Sequence, residues 1–128
     1  MQQNTHLKID NRLCGKVIKI EEGHAEVHLT ASPEMAADQE GLVHGGFIFG
    51  AADFAAMCAV NEPNVVLASS ECRFLAPSRV GDLIEFDARI LEREGAKALV
   101  EVNAACSGKP LFTARFKTVV TKGHLLKP

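Results

Sequence analysis

The stretch that decides the fold runs from Val43 to Asn61, VHGGFIFGAADFAAMCAVN. Between His44 near its start and Asn61 at its end, every position but one is apolar, small or Gly, and the exception is Asp53. A run that is apolar almost all round reads as a helix, roughly His44 to Val60, enclosed by its own protein. A carboxylate in the middle of such a helix is expensive unless it is paired, hydrogen-bonded or protonated. Asp is also among the residues least often fully buried. Asp53 is therefore expected to serve chemistry rather than packing. The run is long enough to raise the question of a membrane span. An aspartate at the bilayer centre would cost at least about 2.5–3.5 kcal/mol, and the run holds three glycines and lacks a basic flank. No membrane partner is expected.

Outward from the helix the pattern changes to alternation at period two, the mark of half-buried antiparallel strands. Upstream, Cys14 to Ile20 and Ala25 to Thr30 flank Glu21-Glu22-Gly23 and read as a hairpin. Downstream, Val65 to Leu75 is a strand closed by Pro77 and the turn Val80-Gly81-Asp82. Ile84, Phe86, Ala88 and Ile90 then alternate with Glu85, Asp87 and Arg89. Ala98, Val100, Val102, Ala104 and Cys106 follow the turn at Glu94-Gly95. Phe112, Ala114, Phe116, Thr118 and Val120 follow Ser107-Gly108-Lys109-Pro110. The expectation is an α+β fold, an antiparallel sheet wrapped round one long central helix, as a single domain over residues 1–128. The helix is rich in small residues (Gly50, Ala51, Ala52, Ala55, Ala56, Ala59). The sheet needs only one side of it, so the other side is expected to meet a second subunit, symmetric dimers being the commonest oligomers.

Composition bounds the partners. A chain of 128 residues buries about two-thirds of its unfolded surface and needs no disulfide or metal to hold a core. A formal net charge of −2 leaves no basic footprint for nucleic acid. The four cysteines, Cys14, Cys58, Cys72 and Cys106, form no CxxC pair and sit in apolar or strand-like segments. That suits a reducing, cytoplasmic compartment, and the polar N-terminus MQQNTHLKID carries no signal-peptide pattern. His24 and His28 are four apart in a strand, too far to share an ion, and no third ligand is in view, so no metal is expected. Ser69 and Ser70 lack a nucleophile-elbow motif.

A helix N-terminus presents unpaired N–H groups and partial positive charge. Gly45 and Gly46 there let a substrate oxygen approach the backbone without meeting a Cβ, which is what an oxyanion hole requires. Asp53 lies about 12 Å further along at 1.5 Å per residue. One helix cannot easily bring both to a single carbon. Two antiparallel helices across a dimer axis can, with Gly45 of one chain facing Asp53 of the other.

The string GLVHGGFIFGAADFAA resembles the signature of hotdog-fold acyl-CoA thioesterases, in particular the phenylacetate-pathway (PaaI-like) group. That group carries G-x-x-HGG and then an acid nine positions after the His, the spacing of His44 and Asp53. Phe74-Leu75-Ala76-Pro77 with Val80-Gly81-Asp82 is similar to its strand-end signal, so the resemblance covers nearly the whole chain. It implies a homodimeric or homotetrameric hotdog enzyme that takes an acyl-CoA and uses no metal or redox cofactor. On this resemblance the Gly45 N–H polarises the thioester carbonyl and Asp53 is nucleophile or general base. His44 positions the thioester or holds the helix start, and Gly46 lines the substrate with it. Six residues before the His, where the group often has Asn or Gln, this chain has Asp38, a substrate-side departure that would repel an Asp53 anion and raise a pKa if the two met. Arg73, Arg79, Arg89, Lys97 and Lys109 are open candidates for the CoA phosphates, with no phosphate loop to choose among them. The alternatives are an acyl-CoA sensor, which in related regulators lacks the helix acid, and a hotdog hydratase or dehydratase, whose His-Phe-Pro motif is absent.

Overall fold

A computed structural model describes residues 1–127. Eight elements follow in order: α1 (Asn11–Cys14), β1 (Lys16–Glu21), β2 (His24–Thr30), α2 (Gly45–Val60), β3 (Val65–Phe74), β4 (Leu83–Glu94), β5 (Lys97–Cys106) and β6 (Lys109–Val120), with a 3-10 turn at Pro33–Met35 before α2. The six strands form one antiparallel sheet in the order β1-β2-β4-β5-β6-β3. α2 packs on one face of it. This is the hotdog fold, with the α+β architecture expected from the sequence.

Alternation decides which side chains meet the helix. Ile84, Phe86 and Ala88 of β4 are buried, as are Ala98, Val100, Val102 and Ala104 of β5 and Phe112, Ala114, Phe116 and Thr118 of β6. In register, Phe86 pairs with Ala104 and Val100 with Phe116, so large residues face small or branched ones across the sheet. The hydroxyl of Thr118 donates to the Ala98 carbonyl at 3.0 Å, which satisfies the polar atom this strand buries. Phe49 of α2 meets the Phe116 ring edge-on at 5.5 Å between centroids, a favoured aromatic geometry. Between β5 and β6, Ser107 (φ 49°) and Gly108 (φ 81°) both take left-handed backbone, as a tight primed hairpin turn requires.

Two findings differ from the sequence reading. Cys14 does not open the first strand. It ends α1, a single turn N-capped by Asp10, whose carboxylate accepts the Arg12 N–H at 2.9 Å. Four residues are too few to show a helical period. The second finding concerns the outer side of α2. Between Ala51 and Val60 every residue but Asp53 is buried within the chain itself, because the N-terminal segment lies across the helix. Ile9, Leu13 and Cys14 pack against the core, the ring of His6 lies 6.3 Å from that of Phe54, and α1 contacts α2. Asn61 ends α2 in left-handed conformation and ties the same segment down, accepting the Asn4 N–H at 2.7 Å and donating to the Gln2 carbonyl at 2.9 Å. What stays open on the helix is narrower than the composition suggested and ends before Phe54: Gly46 is exposed, Gly45, Phe47, Phe49, Gly50 and Asp53 are half-buried, and Gly46, Gly50 and Asp53 align at i, i+4 and i+7.

No helix among the described residues is long and apolar enough to cross a membrane. The four cysteines are free thiols.

Candidate active site

The site is built around the start of α2. His44 is the N-cap, with extended backbone (φ −65°, ψ 130°) and no side-chain hydrogen bond to the first turn. Its backbone does the holding: the N–H donates to the Met35 carbonyl at 2.9 Å, and the carbonyl accepts from Phe47 at 3.1 Å. The imidazole is exposed and meets Phe47 edge-on at 6.2 Å. It is therefore free to reach a ligand at the helix mouth. Gly45 and Gly46 begin the helix, where backbone N–H groups have no intrahelical acceptor. Space explains the two glycines. A Cβ on Gly45 would sit 3.1 Å from Cε1 of Phe74, and one on Gly46 3.0 Å from the His44 ring. Beside Gly45 lies a cleft of about 400 Å³ lined by Val43, Ile48, Phe74, Ala76, Pro77 and Ser78, among others. Phe74, the β3 residue against Gly45, is an element of the helix mouth that one-dimensional reading placed only in a strand-end motif.

Asp53 does not line that cleft. Half-buried on the open stripe, it has an Oδ1 that is sealed from solvent and has no hydrogen-bond partner among the described residues. Burial pushes its carboxyl above the ordinary aspartate value. A buried acceptor with an unused lone pair is costly in a native fold, and such a group in a cleft or interface is where catalytic acids and bases are found. Asp38 is exposed and its Oδ1 accepts the N–H groups of Glu40 (3.0 Å) and Leu42 (3.1 Å). That carboxylate holds the loop leading into α2.

Residues 40–111, more than half of the chain and all of α2 within them, match the model of the thioesterase superfamily. The chain belongs to this superfamily. Among solved structures, an uncharacterized protein of Pyrococcus horikoshii, PH1136, is 46% identical with a TM-score of 0.98, the match covering 99% of this chain and 98% of that one. The Escherichia coli PaaI protein from the phenylacetic acid degradation operon is 24% identical with a TM-score of 0.75, over 81% of each chain. A hypothetical thioesterase of Streptococcus pneumoniae TIGR4, solved with coenzyme A, is 19% identical with a TM-score of 0.77, over 85% of this chain and 87% of that one. The last two likenesses establish the fold. The chain is also 50% identical over 119 residues to methylthioribose-1-phosphate isomerase of Aquifex aeolicus (strain VF5). It spans 26% of the length of that curated relative, while the match covers 93% of this chain.

Within the superfamily frame, Cys14 is the neighbour that sequence reading missed. Its thiol is held above the usual range by burial first, then by the carboxylates of Asp10 and Asp53. α1 thus carries a neutral thiol that the charge of the helix carboxylate reaches. No spacing rule links positions 14 and 53, so no sequence signal could have found it.

The raised pKa of Asp53 has a consequence for folding. Its folded value lies above its unfolded one, so the fold prefers the protonated form. Stability is lost as pH rises from the ordinary aspartate range through the folded value, and the loss persists above it. Asp53→Asn removes the ionised form. The variant is expected to be more stable than wild type at pH 7 by about 1 kcal/mol, the usual scale for relieving a functional-site compromise. That is a few degrees in Tm. The gap should close as pH falls towards 4. Melting curves of both proteins across pH check this; a destabilised Asn variant at pH 7 would mean that the carboxylate is held by a favourable partner.

Proposed function

We propose that the protein is an acyl-CoA thioesterase, at least a homodimer, that hydrolyses the thioester to a carboxylic acid and free CoA. The observation that carries this is Asp53 itself, a carboxylate with a sealed oxygen that has no partner among the described residues, on the part of α2 that its own chain leaves half-open. In the reaction the carbonyl enters at the helix mouth of one subunit. Its oxygen takes the Gly45 N–H, which stabilises the charge that develops there. Asp53 of the other subunit acts as general base, or as nucleophile. As base it takes a proton from water while the water oxygen bonds to the carbonyl carbon. The C–S bond then breaks, and the proton passes to the departing CoA sulfur. A carboxyl pKa above the ordinary value favours the base, since proton transfer is most efficient when the pKa approaches the working pH. CoA enters as part of the substrate, and no separate cofactor is needed. His44 and Gly46 are proposed to line the thioester at the helix mouth.

Three features support the shared site. Gly45 and Asp53 are about 12 Å apart along one helix. β3 is an edge strand of ten residues, pairing on one side only, with β6. Such an edge is a ready template for a second chain. Gly50, midway along the open stripe, has nothing within 4 Å of its would-be Cβ, so a bulkier residue fits the lone chain. Gly50→Leu is accordingly expected to leave the protomer folded and to weaken the dimer at least tenfold by sedimentation velocity. An unchanged dimer would put the stripe outside the subunit contact.

One observation favours a second reading, an acyl-CoA binder without hydrolysis: Asp38 stands where related enzymes often have a neutral amide, and its oxygen is committed to its own loop. The discriminating experiment is thiol release from a panel of aryl, short-chain and long-chain acyl-CoAs. Release establishes the enzyme; tight binding of the same compounds with no release establishes the binder.

A further inference from the structure

The face of the sheet opposite α2 carries a group of side chains that the proposed reaction does not use. Along β2, Ala25, Val27 and Leu29 point to the core, so His24, Glu26 and His28 point away from it. Across the ladder from β4, Glu26 is paired with Asp87. Two carboxylates directly opposite on one face repel. The usual cure is a lysine or arginine between them, and it is missing here. Lys19, which faces Glu26 from β1, turns instead to Glu21 at 2.8 Å. Arg89 binds the other oxygen of Asp87 at 3.0 Å. Among the described residues, Glu26 has no lysine or arginine partner, only the ring of His24 at 3.9 Å.

We propose that His24, Glu26 and Asp87 form a binding site for a divalent transition-metal cation, with Zn²⁺ as its probe. Their candidate ligand atoms, one from each, all lie within 4.8 Å of one another. His24 Nε2 is 2.6 Å from Asp87 Oδ1 and 3.9 Å from Glu26 Oε1. Ligands on a tetrahedral zinc at about 2.0–2.1 Å stand roughly 3.3 Å apart, a value these two distances bracket. Small rotamer adjustments of the two carboxylates would admit the ion. One imidazole and two carboxylates are the donor set of an open site, in which water completes the shell. The surroundings fit a ligated histidine. A metal-bound imidazole donates its other N–H to an outer carboxylate, which fixes the tautomer and ring plane, and Glu21 Oε1 lies 3.6 Å from Nδ1 of His24. The His24 side chain is 11% exposed and so already held in place. Glu26 and Asp87 also border a cleft of about 460 Å³, room for the water ligands. When the ion binds, it replaces the proton between Nε2 and Asp87. The bound ring is the neutral tautomer with its one proton on Nδ1, facing Glu21, and any second proton goes to solvent. The sequence showed His24 and His28 without a third ligand. The fold supplies two carboxylates, one of them 63 residues away, and leaves His28 with Glu85 at 3.4 Å.

The test is calorimetric titration of ZnCl₂ into the full chain, purified through a chelator, alongside Glu26→Gln and Asp87→Asn. One ion per chain is expected for wild type, with affinity at least tenfold weaker in each variant and melting temperatures near wild type without metal. His24→Asn should abolish binding; should it fail to fold, the Gln and Asn variants at part-exposed positions carry the test alone. Absence of stoichiometric uptake overturns the proposal, as does uptake that both carboxylate variants leave unchanged.

Discussion

Asp53→Asn is expected to lower thioester hydrolysis by at least a hundredfold while the protein stays folded and dimeric. A hundredfold is about 2.7 kcal/mol of lost transition-state stabilisation, at the low end of what a positioned general base contributes. The amide is nearly isosteric but can neither accept the proton of water nor attack the carbonyl carbon. The other titratable side chain on α2, the buried thiol of Cys58, has its pKa pushed up to about 12 and cannot replace it. The expected gain in stability at neutral pH sharpens the reading: a dead enzyme that melts higher than wild type cannot have lost activity by unfolding. Thiol release under saturating substrate, with melting and sedimentation on the same preparation, measures both. Turnover within a factor of a few of wild type would remove Asp53 from the chemistry and leave hydrolysis to another group.

Gly15→Ala is expected to have the largest effect on stability, about 3–4 kcal/mol. Gly15 joins α1 to β1 with φ 95° and ψ 168°, a region open essentially to glycine alone and costing other residues about 1–3 kcal/mol. Strain is only part of it. An added Cβ would lie 2.6 Å from Cγ1 of buried Val27 and 3.0 Å from the His28 carbonyl oxygen. Neither neighbour is the far end of a flexible chain, so β2 itself must shift, and overpacking of this kind costs about 1–3 kcal/mol. Chemical denaturation compares the variant with Gly50→Ala, where a Cβ meets nothing and the helix should gain about 0.5–1 kcal/mol. A Gly15→Ala protein as stable as wild type would mean that the α1–β1 junction relaxes freely.

The sequence was legible wherever a local period exists. Ile84, Phe86 and Ala88 against Glu85, Asp87 and Arg89 stated a strand and its inner face, and the apolar run after His44 stated the enclosed helix. The lone Asp53 and the glycine pair were visible for the same reason, as departures from a uniform local pattern. What stayed hidden depends on partners distant in the chain. The register of β3 with β6, the influence of the Asp53 carboxylate on the Cys14 thiol and the meeting of His24 with Asp87 are set by closure of the sheet and by a one-turn helix too short to leave a signature. Even the open side of α2 was overestimated. Small residues say that something packs closely, and they do not say that the occupant is the chain's own N-terminal segment.

The strand order carries a consequence for how the molecule is made. β3 follows the apolar helix immediately, yet its partner in the sheet is β6, which is synthesised after β4 and β5. Until β6 leaves the ribosome, β3 lacks its partner in the sheet, and α2 lies against an incomplete floor. Non-local pairing of this kind is slow, and exposed apolar surface with an unpaired strand invites association with other chains in the meantime. The same edge that the finished protein is proposed to offer to a second copy is thus exposed longest during synthesis. Formation of the proposed dimer would then close the folding reaction as well as the proposed shared site.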